Sequence, residues 1–180
     1  MHKKQYHASI ERLRSPERLA PLEVNHVVEL CLEGISVNSA LDVGTGSGVF
    51  AEAFIPLAGE VVGIDLNPEM LAAARGFVPT ARFEQAGVES IPAQDHAFDV
   101  VFLGLVLHET DDPLAALMEA KRCAKTRVAA LEWFYQEEEM GPPIDHRMKP
   151  DEVALLAQKA GFQNFESIPL AHLVLYRFTV

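Results

Sequence analysis

The sequence is poor in cysteine, in positive charge and in long apolar runs. Its only cysteines, Cys31 and Cys123, fall in segments that read as helices and show no metal or redox spacing. That pattern favours two buried free thiols over a disulfide and suits a reducing cytoplasm. Fifteen Lys and Arg stand against 26 Asp and Glu, and a formal charge of -11 repels a phosphate backbone unless a local basic patch intervenes. The densest basic pieces are Lys3-Lys4, a terminal pair, and Lys121-Arg122 with Lys125 and Arg127, around a helix end whose dipole cations complement. Nucleic acid is therefore not expected as a partner. No apolar run approaches the ~18 residues that cross a membrane, and the N-terminus lacks the apolar stretch of a signal peptide. A protein without a membrane span is expected.

What is present is an ordered globular composition, 49% apolar and 23% charged over 180 residues. A chain of this size folds as a single domain that buries roughly 70% of its unfolded surface. Short apolar runs alternate with longer amphipathic ones, which predicts an α/β, doubly wound sheet with helices on both faces. Residues 1 to 15 are polar and expected to be mobile, and the domain is expected over 16 to 180. Ser15-Pro16-Glu17 opens a helix that runs, with a break near Pro21, to Glu33. Strands are expected at Ala40 to Val43, Val61 to Asp65, Ala81 to Gln85, Phe98 to Leu103 and Arg127 to Trp133. Helices are expected at Val49 to Leu57, from Asn67-Pro68 to about Arg75, from Asp112-Pro113, and from Pro150 to the stop at Gly161. A loop spans Gln136 to Lys149. Asn164 to Ile168 and Leu173 to Thr179 lie too close for a parallel return, so they predict an antiparallel edge hairpin on a mostly parallel sheet of seven strands.

The strongest chemical signal lies between Ala40 and Asp65: strand, glycine turn, helix, then a strand ending in an acid. Gly44, Gly46 and Gly48 let the backbone turn sharply and come close to a ligand, and the following helix offers free amides at its positive end. Asp65, at the carboxyl end of the second strand, is placed to accept hydrogen bonds from both hydroxyls of a ribose. The unit reads as a nucleoside site. Dinucleotide enzymes use G-x-G-x-x-G, whereas here the third glycine comes one place early and Asp42 stands two residues ahead of the first. An acid there suits an ammonium-bearing ligand better than a pyrophosphate, and the G-K-[ST] of a phosphate-binding loop is missing.

The segment Asp42-Val43-Gly44-Thr45-Gly46-Ser47-Gly48 resembles motif I of class I S-adenosylmethionine-dependent methyltransferases, and Val61 to Met70 resembles their second motif. Phe83 to Pro92, Phe98 to His108, and Gly141-Pro142-Pro143 through Gly161-Phe162 resemble the small-molecule branch that includes ubiquinone and menaquinone biosynthesis methyltransferases. The resemblance implies a Rossmann-like fold, S-adenosyl-L-methionine as cofactor and a small-molecule acceptor. It also implies that Gly44, Thr45, Gly46 and Gly48 cradle the methionine end with Asp42 close by, and that the backbone of Leu103 helps to hold the amino group. By the same resemblance Asp65 binds the ribose, Leu66 and Met70 pack on the adenine, and the backbone at Val88 meets its ring edge. The family often has an acid at the position of Gly87. This chain departs there, so Glu89, a water or packing alone must serve.

His108 follows the fourth strand at the carboxyl edge, where a neutral imidazole is a candidate proton acceptor or a pocket-lining side chain. His108, Glu109 and His146 lack tight ligand spacing, and no metal is expected. Trp133, Phe134 and Tyr135 are candidates for an apolar acceptor wall, with core packing the alternative for Trp133 and Phe134. The helix from Ser15 and the loop from 136 to 149 are expected to cover the opening. Rival readings are a protein that binds the cofactor without catalysis and an NAD-dependent oxidoreductase. The acceptor atom and the oligomeric state are not written in the sequence.

Overall fold

A computed structural model describes residues 10–180. Of the segment expected to be mobile, residues 1–9 lie outside the described residues, and Ile10–Leu13 form a helical turn, α1. The helix expected from Ser15 is divided. Ser15 caps α2 (Pro16–Leu19), a 3-10 turn follows at Ala20–Leu22, and α3 runs over Val24–Leu32. Pro21 has no amide to continue the ladder, and Glu23 takes a left-handed φ of 47°, which turns the chain before α3 begins.

Seven strands form one sheet in the order β3-β2-β1-β4-β5-β7-β6. They are β1 (Ser39–Val43), β2 (Glu60–Asp65), β3 (Arg82–Gln85), β4 (Phe98–Gly104), β5 (Ala124–Trp133), β6 (Asn164–Pro169) and β7 (Leu173–Thr179). The first five are parallel, and β7 runs antiparallel between β5 and β6, so the expected C-terminal hairpin is present. Strand order reverses between β1 and β4, which opens a crevice at their carboxyl ends. β1 is buried along its whole length, as a strand flanked by parallel neighbours and covered on both faces must be.

The helices divide between the faces. Val27, Val28 and Cys31 of α3, Phe50 and Phe54 of α4 (Val49–Phe54) and Leu71 and Ala74 of α5 (Pro68–Phe77) pack on one side with Phe102 and Leu131. Leu117 and Ala120 of α6 (Pro113–Cys123) and Val153 and Ala157 of α7 (Pro150–Lys159) pack on the other with Leu41, Ile64 and Leu103. β5 starts at Ala124, three residues before the expected Arg127, because α6 passes straight into it and Ala124 already pairs with Phe98. Both cysteines are buried free thiols.

No helix covers the crossover from β3 to β4; an irregular segment through Ile91 does. Arg122 at the end of α6 holds it, donating to the carbonyls of Ile91 (3.0 Å) and Ala93 (2.7 Å) and pairing with Glu119 (2.8 Å) and Asp95 (2.8 Å). Near the carboxyl end of β1, Asp42 is 1% exposed. Its Oδ2 accepts from the Thr45 hydroxyl (2.6 Å) and from the Ala51 amide (3.0 Å), so it ties the end of β1 to α4. Burial pushes its carboxyl up to about 7, against those two hydrogen bonds and with a further push from the charge of Asp65.

Two outcomes are expected. Removing the Arg122 fork by Arg122→Ala should lower stability by about 2 kcal/mol, or roughly 4 to 8 °C in Tm, and a thermal scan showing no shift would contradict its role. For Asp42 the folded value of about 7 lies above the ordinary 3.8, so the folded state holds the proton. Its contribution to stability is then complete below about pH 4 and is lost as pH rises through about 7. The urea midpoint of the native chain should therefore fall relative to that of Asp42→Asn across this window. A constant gap between the two proteins would contradict the buried-acid account.

Candidate active site

The glycine turn leaves β1 with left-handed backbone at Gly44 (φ +68°) and Gly46 (φ +53°), where a side chain would be strained. The two positions have different reasons for being glycine. A Cβ at Gly44 would stand 2.2 Å from Val106 Cγ2, so the residues after β4 pack directly onto the turn. A Cβ at Gly46 would meet nothing within 4 Å, and this is the open face on which a ligand can approach the backbone. The Thr45 amide donates to the Ile64 carbonyl (2.9 Å), which locks the turn to β2, and Gly48 precedes α4.

Asp65 closes the other half. Its Oδ2 accepts from the Gly46 amide (2.9 Å) and its Oδ1 from the Asn67 amide (2.8 Å). Each oxygen spends one acceptor site on the backbone and keeps capacity for a ligand hydroxyl, because a carboxylate offers about four lone-pair sites. Leu66 beside it is 47% exposed, and the Cβ position of Gly87 lies 3.5 Å from Leu66 Cδ2. Asp65-Leu66 and Gly87-Val88 thus form adjoining walls. Met70 is buried on α5, and Glu89 is turned away to accept from the Asp112 amide (3.2 Å) at the start of α6. Asp42 faces Thr45 and Ala51, behind the turn. Leu103 is buried and pairs with Val43 across the crevice strands.

Beyond Leu103 the chain is strained in a useful place. Leu105 has φ +60°, held by its amide bond to the Leu131 carbonyl (2.9 Å). A 3-10 turn at Leu107–Glu109 then sets His108 with Nδ1 2.6 Å from Oε2 of Glu132, a residue 1% exposed near the end of β5. Nε2 lies 3.8 Å from Glu109 Oε1. Burial raises the Glu109 carboxyl; His108 and Arg18 act against the shift, while Glu132 and Asp65 add to it. Sequence reasoning singled out His108 and missed Glu132. The available signal was a lone carboxylate inside the apolar run Val128-Ala129-Ala130-Leu131-Glu132-Trp133.

Two segments press on this edge. Arg14 donates to the Ser47 carbonyl (3.0 Å), pairs with Glu52 (2.8 Å) and stacks on Phe77 at 4.1 Å, so the N-terminal helices are fastened to the turn. Trp133 receives Arg18 at 5.4 Å and Arg147 at 5.6 Å. Arg147, itself buried, donates to the carbonyls of Phe134 (2.9 Å), Met140 and Pro142 (2.9 Å), which fixes the loop expected from 136 to 149. Trp133 is 2% exposed and belongs to the core, so of the candidate wall residues the exposed one is Tyr135.

Comparison with known proteins identifies the family. A family model described as a methyltransferase domain matches residues 41–130. The chain is 37% identical over 95 residues to the demethylmenaquinone methyltransferase of Chlorobaculum tepidum, covering 52% of this chain and 39% of that protein. It is 32% identical over 114 residues to the ubiquinone biosynthesis O-methyltransferase of Aliivibrio fischeri, covering 60% of this chain and 47% of that protein. The chain thus spans less than half the length of these curated relatives. The solved structure of a SAM-dependent methyltransferase from Aquifex aeolicus superposes with a TM-score of 0.86 at 25% identity, covering 95% of this chain and 96% of that one. With the matched model spanning half the chain and the sheet order, glycine turn and strand-end acid all in place, the chain belongs to the methyltransferase-domain family, the class I S-adenosylmethionine-dependent methyltransferases.

Proposed function

We propose that this chain transfers the methyl group of S-adenosylmethionine to a small-molecule acceptor. The observation that carries the reading is the clasp between the Gly46 amide and the Asp65 carboxylate beside an open backbone face. The turn from Gly44 to Gly48 would hold the methionine end, with the Leu103 backbone close to its amino group and Asp42 supporting the turn from behind. Asp65 would take the ribose hydroxyls, Leu66 and Met70 the adenine face, and the Val88 backbone its edge. Glu89 is engaged with α6, so the adenine amine at Gly87 is left to packing and solvent.

When bound, the cofactor supplies a methyl on a positively charged sulfur, already electrophilic. The chain's share is to align an acceptor and exclude water. The crevice between β1 and β4, with His108 at its edge and the N-terminal helices fastened by Arg14, suits that task. The charge of -11 argues against a nucleic-acid acceptor. Among the described residues no helix is long and apolar enough to cross a membrane, and the free thiols suit the cytoplasm. Relatives named for menaquinone and ubiquinone methylation support a small-molecule acceptor.

Calorimetry with S-adenosylhomocysteine should show binding by the native chain and a loss of roughly 10- to 100-fold in Asp65→Ala, the worth of hydrogen bonds to a charged group. Binding of NAD alone would sink the reading. Gly87→Asp has room for its Cβ and should tighten the same ligand by about fivefold. Labelled methyl from S-adenosylmethionine, incubated with a small-molecule cell extract, should appear in an acceptor; binding without any transfer would favour a non-catalytic binder.

A further inference from the structure

We propose that Glu132 is a positioning residue that sets His108 to take the proton of a neutral hydroxyl acceptor. The proposal rests on the methyl-transfer reading of the site. The His108 and Glu132 side chains are only 7% and 1% exposed, and their contact is 2.6 Å. A carboxylate buried in an apolar strand is costly to the fold, and an apolar residue of similar volume would fill the place at lower cost. What Glu132 adds is orientation. Its Oε2 holds the proton on Nδ1, which leaves Nε2 as the accepting nitrogen of a neutral ring, and its negative charge stabilises the ring once protonated. Its contact with the His108 backbone amide is long at 3.4 Å, so the ring is the better partner.

The charges around the ring select the acceptor. Glu132 faces it from β5 and Glu109 from the 3-10 turn, and Glu109 in turn lies in the fields of Asp65 from the end of β2 and Arg18 from α2. Tyr176 from β7 lies in the field of Glu132, its hydroxyl pushed up to about 12 first by burial. Among the described residues these carboxylates outweigh the Arg18 guanidinium, which disfavours an acceptor that arrives as an anion. A neutral amine attacks through its lone pair and needs no base beforehand, whereas a neutral hydroxyl gains from losing its proton as it attacks. In that step the O–H bond breaks and its proton passes to Nε2. The oxygen forms a bond to the methyl carbon, and the electron pair of the carbon–sulfur bond remains on sulfur, which becomes neutral.

The test uses Glu132→Gln and His108→Asn, with catechol and aniline as probe acceptors and labelled S-adenosylmethionine as donor. S-adenosylhomocysteine affinity should stay within about twofold in both variants, since neither residue belongs to the cofactor cradle. Nitrogen-proton NMR should find the His108 ring with its proton on Nδ1 in the native chain and redistributed in Glu132→Gln. Native chain should label catechol in preference to aniline. Glu132→Gln should lose about 10- to 1000-fold in kcat with little change in KM, and its pH midpoint should move lower because the ring has lost its carboxylate. Glu132→Asp, which keeps the charge but withdraws it, should fall between and serves if the Gln variant does not fold. An unchanged kcat and pH profile, a native ring protonated on Nε2 alone, preference for aniline, or no labelling of either probe would each overturn the proposal. Failure of the native chain to bind S-adenosylhomocysteine would instead overturn the reading beneath it.

Discussion

The Gly46 amide donates to Asp65 across 2.9 Å, and the geometry of the carboxyl edge depends on that bond. It joins the ends of two neighbouring strands, β1 and β2, through a turn with no side chain to obstruct approach. Asp42 holds the same turn from the core side through Thr45 and Ala51, and Val106 packs on it from the segment that follows β4. The turn is thus fixed from three directions while its outer face stays open at Gly46. A ligand meeting it finds a surface already ordered, so little conformational entropy is lost on binding.

The carboxylates show how position sets their use. Asp42 lies in the core, where burial favours its neutral form and suits it to a hydrogen-bonded strut. Asp65 is held at the edge by two backbone amides, with acceptor capacity to spare. Glu132 is as buried as Asp42 but has a histidine as partner, so its charge is matched by a group that can itself become charged. Three acids within a few strands of one another therefore serve as strut, clasp and orienting partner.

The parts of this arrangement that repeat locally were legible in the sequence. The glycine turn and Asp65 are fixed by spacing along one strand-turn-helix-strand unit, and the apolar runs marked all seven strands to within a few residues. The parts that depend on distant pairing were not. Glu132 and His108 are 24 residues apart and meet only because β4 and β5 are neighbours in the sheet. Its place at a strand end left Trp133 open between pocket wall and core, and Arg18 and Arg147, which cover it from segments on either side, decide for core. The early start of β5 was hidden because α6 enters it without a loop, and the role of Arg122 because its carbonyl partners carry no side-chain signal.

The most direct measurement is a crystal structure of the chain soaked with S-adenosylhomocysteine. The ribose hydroxyls should sit on the Asp65 carboxylate, the amino-acid end over Gly46, and the adenine between Leu66 and Gly87, with the turn unmoved. Density for the ligand anywhere else, or a turn that must rearrange to receive it, would contradict a cradle built in advance by Asp42, Asp65 and the glycines.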